Sequence, residues 1–136
     1  MKKVLFVCAE NAGRSQMAEA FFNHYAQGTN FIAESSGTIP AEQVNPVVVE
    51  AMRERNIDIK NTHPKRFDPE NIGQYERVIS FGCLVKQAFS KEVQEKIEDW
   101  IIDDPRDKAI GEVRKIRDEI ENRIQGFLRS LSGKIS

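Results

Sequence analysis

VLFVCAENAGRSQMAEAFF, residues 4–22, decides how the rest of the chain is read. Its opening run, Val4–Val7, is continuously apolar, as a strand buried on both faces of a parallel sheet must be. From Ser15 the period changes. Met17, Ala20, Phe21, His24 and Tyr25 fall at helical spacing, and Gly28 supplies a stop. Between strand and helix stands Cys8-Ala9-Glu10-Asn11-Ala12-Gly13-Arg14-Ser15, a thiol placed where one element gives way to the next.

That placement suits chemistry better than packing. A thiolate is the reactive form of cysteine, and it forms at neutral pH only where its surroundings favour the charge. A helix N-terminus does so through unpaired amides and the positive end of its dipole. The same amides, from Ala9 to Arg14, suit a tetrahedral oxyanion. Arg14 adds a planar fork that matches two oxygens of such an anion. Ser15 can donate its hydroxyl to the Cys8 sulfur. Asn11 and Gly13 tolerate the positive φ angles that a tight anion-cupping loop often needs. The candidate oxyanion site is therefore Ala9, Glu10, Asn11, Ala12, Gly13, Arg14 and Ser15, with Cys8 as nucleophile.

Working outward, the alternation continues. Residues 30–38 (NFIAESSGT) read as a second strand. Asn45 and Pro46 form a strong helix start, as N-cap and first helical residue, for residues 45–57. Residues 61–75 carry two prolines and read as a loop with one helical turn. ERVISFG (76–82) and IEDWII (97–102) read as strands three and four, with a weakly periodic segment between them. Residues 109–131 form a long amphipathic helix whose stripe is Val113, Ile116, Ile120, Ile124, Phe127 and Leu128. Strands alternating with helices predict an α/β three-layer sandwich: a four-stranded parallel sheet with helices on both faces. Ligands of such sheets bind beyond the carboxyl ends of the strands. Cys8, Cys83 and the Asp103-Asp104-Pro105 turn each follow a predicted strand, so all three are expected at one edge.

Composition narrows the classes. The 136 residues suit a single domain, 1–136. A net charge of −1, with basic residues interleaved among acids, gives no reason to expect nucleic acid. No apolar stretch approaches a membrane span, and the apolar part of the N-terminus is too short for a signal-peptide core. A cytoplasmic protein is expected. A reducing compartment argues against a structural disulfide between its two cysteines, and pairing between them would belong to a reaction cycle. Two histidines without clustered cysteines give no metal site. Trp100 reads as core or sheet-edge packing. Glu19, Lys65 and Arg66 read as solvated, although Glu19 could support the anion loop and the two cations could lend it positive potential.

Residues 4–22 resemble the N-terminus of the low-molecular-weight protein tyrosine phosphatase family. SSGTIPAEQVNPVVVEAMRERNIDI, ERVISFGC and EDWIIDDPRDKAIGEVRKIRDEIENRI resemble its arsenate reductase branch in particular. The resemblance implies that Cys8 attacks the central atom of the oxyanion, that Arg14 holds its oxygens, and that Asp104 protonates the leaving oxygen. Asp103 is left a structural role. No cofactor is implied beyond an external thiol reductant, thioredoxin or similar, if the chain is a reductase. The substrate is a small oxyanion, arsenate or a phosphate ester. Three features bear on that choice. The turn after Asp104-Pro105 has no aromatic residue to sandwich a phosphotyrosine ring. Cys83 is available as a second thiol to form a disulfide with Cys8. The segment after Cys83 lacks the third cysteine typical of thioredoxin-coupled reductases, with Ser90 standing in that region, so a three-cysteine relay is impossible. Arsenate reduction is favoured, and hydrolysis of phosphomonoesters through a phospho-cysteine is the alternative.

Overall fold

The chain was analysed as a computed structural model that describes residues 1–132. Four strands, β1 (Lys2–Cys8), β2 (Phe31–Gly37), β3 (Arg77–Ser80) and β4 (Ile97–Asp99), form one sheet in the order β2-β1-β3-β4, parallel throughout. The expected three-layer α/β architecture is therefore the one observed. β1 is central, which is why Val4–Val7 is apolar on both faces: Val4 and Phe6 face one layer, Leu5 and Val7 the other.

The first layer holds α1 (Arg14–Tyr25), α2 (Pro46–Arg53) and the long α4 (Ile110–Ser132). Every residue of the α4 stripe read from the sequence is buried there. Phe6, Phe22, Trp100 and Phe127 pack edge-on or tilted, with ring centroids 5.8–6.3 Å apart. Each such pair adds about 0.5–1.5 kcal/mol beyond the area it buries. On the other face the cover is thinner. It consists of two 3-10 turns (Pro69–Gln74 and Lys86–Ala88) and the four-residue α3 (Lys91–Gln94), over Leu5, Val7, Ile72, Tyr75, Val78 and Ile97.

Strands three and four are shorter than the sequence suggests. Gly82 takes φ +80° and turns the chain at the end of β3. Beyond Asp99 the chain leaves the ladder, though Trp100 still donates its backbone N–H to the Ser80 carbonyl at 2.9 Å. Asn45 caps α2 as expected, its side chain accepting from the Val47 amide at 2.9 Å. Among the described residues, no helix is long and apolar enough to cross a membrane.

Candidate active site

Parallel strands deliver Cys8, the Ser80–Cys83 turn and the Asp103–Pro105 turn to one edge of the sheet, as the alternating pattern predicts. A cleft of about 460 Å³ opens there, lined by Cys8, Glu10, Gly13, Arg14, Asn45, Val47 and residues 104–108.

Residues 8–15 wrap because their carbonyls are taken from outside. The Cys8, Ala9, Glu10 and Ala12 carbonyls accept the backbone amides of Thr38, Ile39, Ala41 and Asn45 at 2.7–3.2 Å. With the carbonyls turned outward, the loop presents an amide-rich side to an anion. Asn11 takes φ +52°. Gly13 does not take a positive φ; it has φ −142°. Its reason is space, since a Cβ there would meet Pro105 Cγ at 2.6 Å. Gly37 is a close approach too: its Cβ would meet the Ala9 carbonyl oxygen at 2.7 Å.

Asn11 is fully buried and acts as the hub. Its Nδ2 donates to Ser15 Oγ (2.7 Å) and Ser35 Oγ (3.0 Å); its Oδ1 accepts from Gln16 Nε2 (3.1 Å) and the Lys65 backbone amide (2.8 Å). Ser15 Oγ accepts from Asn11 and lies 2.8 Å from Cys8 Sγ, within hydrogen-bond reach of the sulfur. The Asn11 amide donates to that sulfur at 3.2 Å. The Ser15 hydroxyl and the Asn11 amide thus converge on the Cys8 sulfur.

Arg14 is held in reach of an anion. One guanidinium nitrogen donates to the Ile102 carbonyl at 3.0 Å, the other stands 3.6 Å from Asp104 Oδ2, and the group lies over the Phe81 ring at 5.7 Å. Asp104 is exposed at the cleft mouth and accepts from the Arg106 amide at 3.0 Å. Asp103 is exposed and does not line the cleft. Glu10 reaches across the mouth toward Arg106, 3.8 Å away.

Cys83 is half-buried. Its Sγ donates to the Val7 carbonyl at 3.4 Å, one residue from Cys8. Yet it packs with the thinly covered layer, whereas Cys8 belongs to the helix-rich one, so β1's end separates the two thiols. Burial pushes the Cys83 thiol up, and a Cys8 thiolate would push it further, while the Ser80 hydroxyl acts the other way.

Several supporting contacts escaped the sequence reading. Lys65 is not simply solvated: its backbone amide braces Asn11, and its ammonium lies 3.9 Å from Glu19. Glu19 in turn accepts from the Ser35 hydroxyl. Gln16 Nε2 links Asn11 to the His63 carbonyl at 3.2 Å. These long-range partners leave no local signal, although a buried glutamine inside an apolar helix face was a pointer. His24 and His63 are exposed, and Trp100 is core, its indole N–H donating to Glu98 at 2.7 Å.

The family model described as low molecular weight phosphotyrosine protein phosphatase matches residues 3–136. The chain belongs to that family. Within the low-molecular-weight phosphatases it is 34% identical over 133 residues to a glutaredoxin arsenate reductase of Synechocystis sp., covering 97% of this chain and 100% of that protein. A solved arsenate reductase in its phosphate-binding state superposes with TM-score 0.84 at 33% identity, over 96% of this chain and 98% of the other. A low-molecular-weight protein tyrosine phosphatase from T. tengcongensis superposes with TM-score 0.86 at 25% identity, over 96% and 99%. The chain is thus an enzyme of a fold that serves both reductases and phosphatases.

Proposed function

We propose that this enzyme reduces arsenate in the cytoplasm, with Cys8 as nucleophile, Arg14 as oxyanion clamp, Asp104 as general acid and Cys83 as second thiol. The observation that carries the reading is the Cys83 thiol resting on the Val7 carbonyl, beside the nucleophile. The cleft adds support: no aromatic side chain lines it among the described residues, so it offers a phosphotyrosine ring nothing to stack on.

In the first step the Cys8 thiolate attacks As(V) while the anion sits on the loop amides and Arg14. Asp104 gives its proton to the departing oxygen, which leaves as water, and a Cys8–arsenic bond remains. In the second step Cys83 loses its proton to solvent and attacks Cys8 Sγ. The S–S bond forms as the S–As bond breaks, the electron pair passes to arsenic, and As(V) leaves as As(III) arsenite. Two thiols have supplied two electrons. An external dithiol of the thioredoxin or glutaredoxin type, or a small thiol, must then reduce the Cys8–Cys83 disulfide.

The same loop and acid suffice for phosphomonoester hydrolysis, in which water replaces Cys83 in the second step. The placement of Cys83 across β1's end from Cys8 keeps that reading open as the second one. The test is Cys83→Ser, assayed for arsenate reduction with thioredoxin and for p-nitrophenyl phosphate hydrolysis. Reduction should be lost while hydrolysis persists. Unchanged arsenate turnover would remove Cys83 from the cycle.

A further inference from the structure

We infer that Ser80 is a positioning residue for Cys83: its buried hydroxyl folds the turn that delivers the second thiol and donates to that sulfur as it becomes a nucleophile. The inference rests on the reductase reading above.

Ser80 ends β3, opposite Val7 of β1 in the ladder, and its side chain is fully buried. A serine buried at a strand end, where an apolar residue would fill the space without a polar cost, requires partners. It has them in the next turn. Ser80 Oγ accepts the Cys83 amide at 3.2 Å and the Leu84 amide at 3.3 Å. Both lone-pair directions are then used, and the hydroxyl hydrogen remains. The Cys83 sulfur lies 3.8 Å from Oγ, within reach of a long O–H···S contact.

The same turn fixes the sulfur from its other side. The Val7 carbonyl accepts the Phe81 amide at 2.9 Å and the Cys83 thiol at 3.4 Å. That carbonyl is a partner only for the protonated thiol, because an acceptor facing a thiolate repels it. The Ser80 hydroxyl is a donor, so it favours the ionised form. Ionisation therefore loosens Cys83 from Val7 and strengthens its tie to Ser80. Gly82, exposed and at φ +80°, is the joint between them, with open space on the side where a Cβ would stand. Ser80 thus biases Cys83 away from its resting carbonyl at the moment it must attack the Cys8–arsenic adduct.

The experiment compares native protein with Ser80→Ala, Ser80→Thr and Cys83→Ala. Three quantities are read: Cys8–Cys83 disulfide formation in a single arsenate turnover, p-nitrophenyl phosphate hydrolysis, and thermal midpoint. Ser80→Ala should slow disulfide formation at least tenfold and leave hydrolysis, which needs only Cys8, within about twofold. Ser80→Thr, which keeps the hydroxyl, should restore the disulfide rate to within about threefold of native. A native disulfide rate in Ser80→Ala overturns the inference. So does a failure of Ser80→Thr to recover it, or a parallel fall of both activities with the thermal midpoint, which would mark a purely structural serine. Cys83→Ala separates the two levels. If it still turns arsenate over, the reductase relay itself is wrong; if it is inactive while Ser80→Ala behaves as native, only the role of Ser80 fails.

Discussion

Gly13→Ala is the sharpest test of how the site is built. Gly13 sits under the ring of Pro105, and an added Cβ would lie 2.6 Å from Cγ and 3.3 Å from Cδ. Carbon contacts become ordinary near 3.4 Å, so the ring must retreat by about 0.8 Å. The Cγ atom can yield part of that by repuckering, but Cδ is bonded to the backbone nitrogen, so the remainder falls on the backbone of Pro105. Pro105 is buried, and Asp104 precedes it directly, so the acid moves with the ring. Asp104 would then leave its position 3.6 Å from Arg14, by a displacement comparable with the tolerance of a catalytic group. A misplacement of about 1 Å can cost on the order of 10²-fold in rate. The strain itself should cost about 1–3 kcal/mol, as overpacking generally does. The assay is kcat for arsenate and for p-nitrophenyl phosphate, together with thermal unfolding, on Gly13→Ala, Pro105→Ala and the double variant. Gly13→Ala should lose about a hundredfold in kcat, and the double variant should regain most of it, because removing the ring removes the clash. A kcat for Gly13→Ala within twofold of native would refute the reasoning. Strict additivity in the double variant would refute it equally, since residues in contact should couple.

Other expectations follow from the same geometry. Asp104→Asn should lower turnover of arsenate and of alkyl phosphates by about 10²–10⁴-fold, and should affect p-nitrophenyl phosphate less, because its leaving group needs little protonation; equal losses on both substrates would remove Asp104 from proton transfer. Asn11→Ala should cost activity and stability together, since it strips Ser15, Ser35, Gln16 and Lys65 of one partner each; a buried group left unpaired costs about 1–3 kcal/mol, which chemical denaturation will measure. Arg114 and Arg117 hold the Glu54 carboxyl down to about 2, from an ordinary 4.5. A carboxylate depressed in the folded state contributes stability above its unfolded value and loses it as pH falls toward 2. The slope of unfolding free energy between those limits should therefore flatten in Glu54→Gln; an unaltered acid limb would show the pair to be energetically silent.

The fold was legible because its determinants are local and periodic. The apolar run of β1, the Asn45-Pro46 start of α2 and the stripe of α4 each follow from spacing alone. Cys8, Arg14 and Ser15 were legible for the same reason, as neighbours across one strand-to-helix junction. What sequence could not display is contact at long separation. Gly13 looked like a residue chosen for backbone freedom, and only Pro105, 92 positions later, shows that it is chosen for its missing Cβ. Lys65 looked solvated because its ammonium largely is; the atom that matters is its backbone nitrogen, on Asn11. Strands three and four were read too long because apolar residues past their ends, Phe81 and Ile102, continue into the helix-side core after the ladder stops.

The Asn11 hub has a consequence for how the protein breathes. One side chain ties the anion loop to α1 through Ser15 and Gln16, to β2 through Ser35, and to the segment at His63–Lys65. Residues this interlinked cannot open separately. In native-state hydrogen exchange the amides of Asn11 and Lys65, 54 positions apart, should exchange as one cooperative unit, and an oxyanion bound by the loop should slow both alike. Ligand occupancy would then be readable from a loop that never touches the ligand.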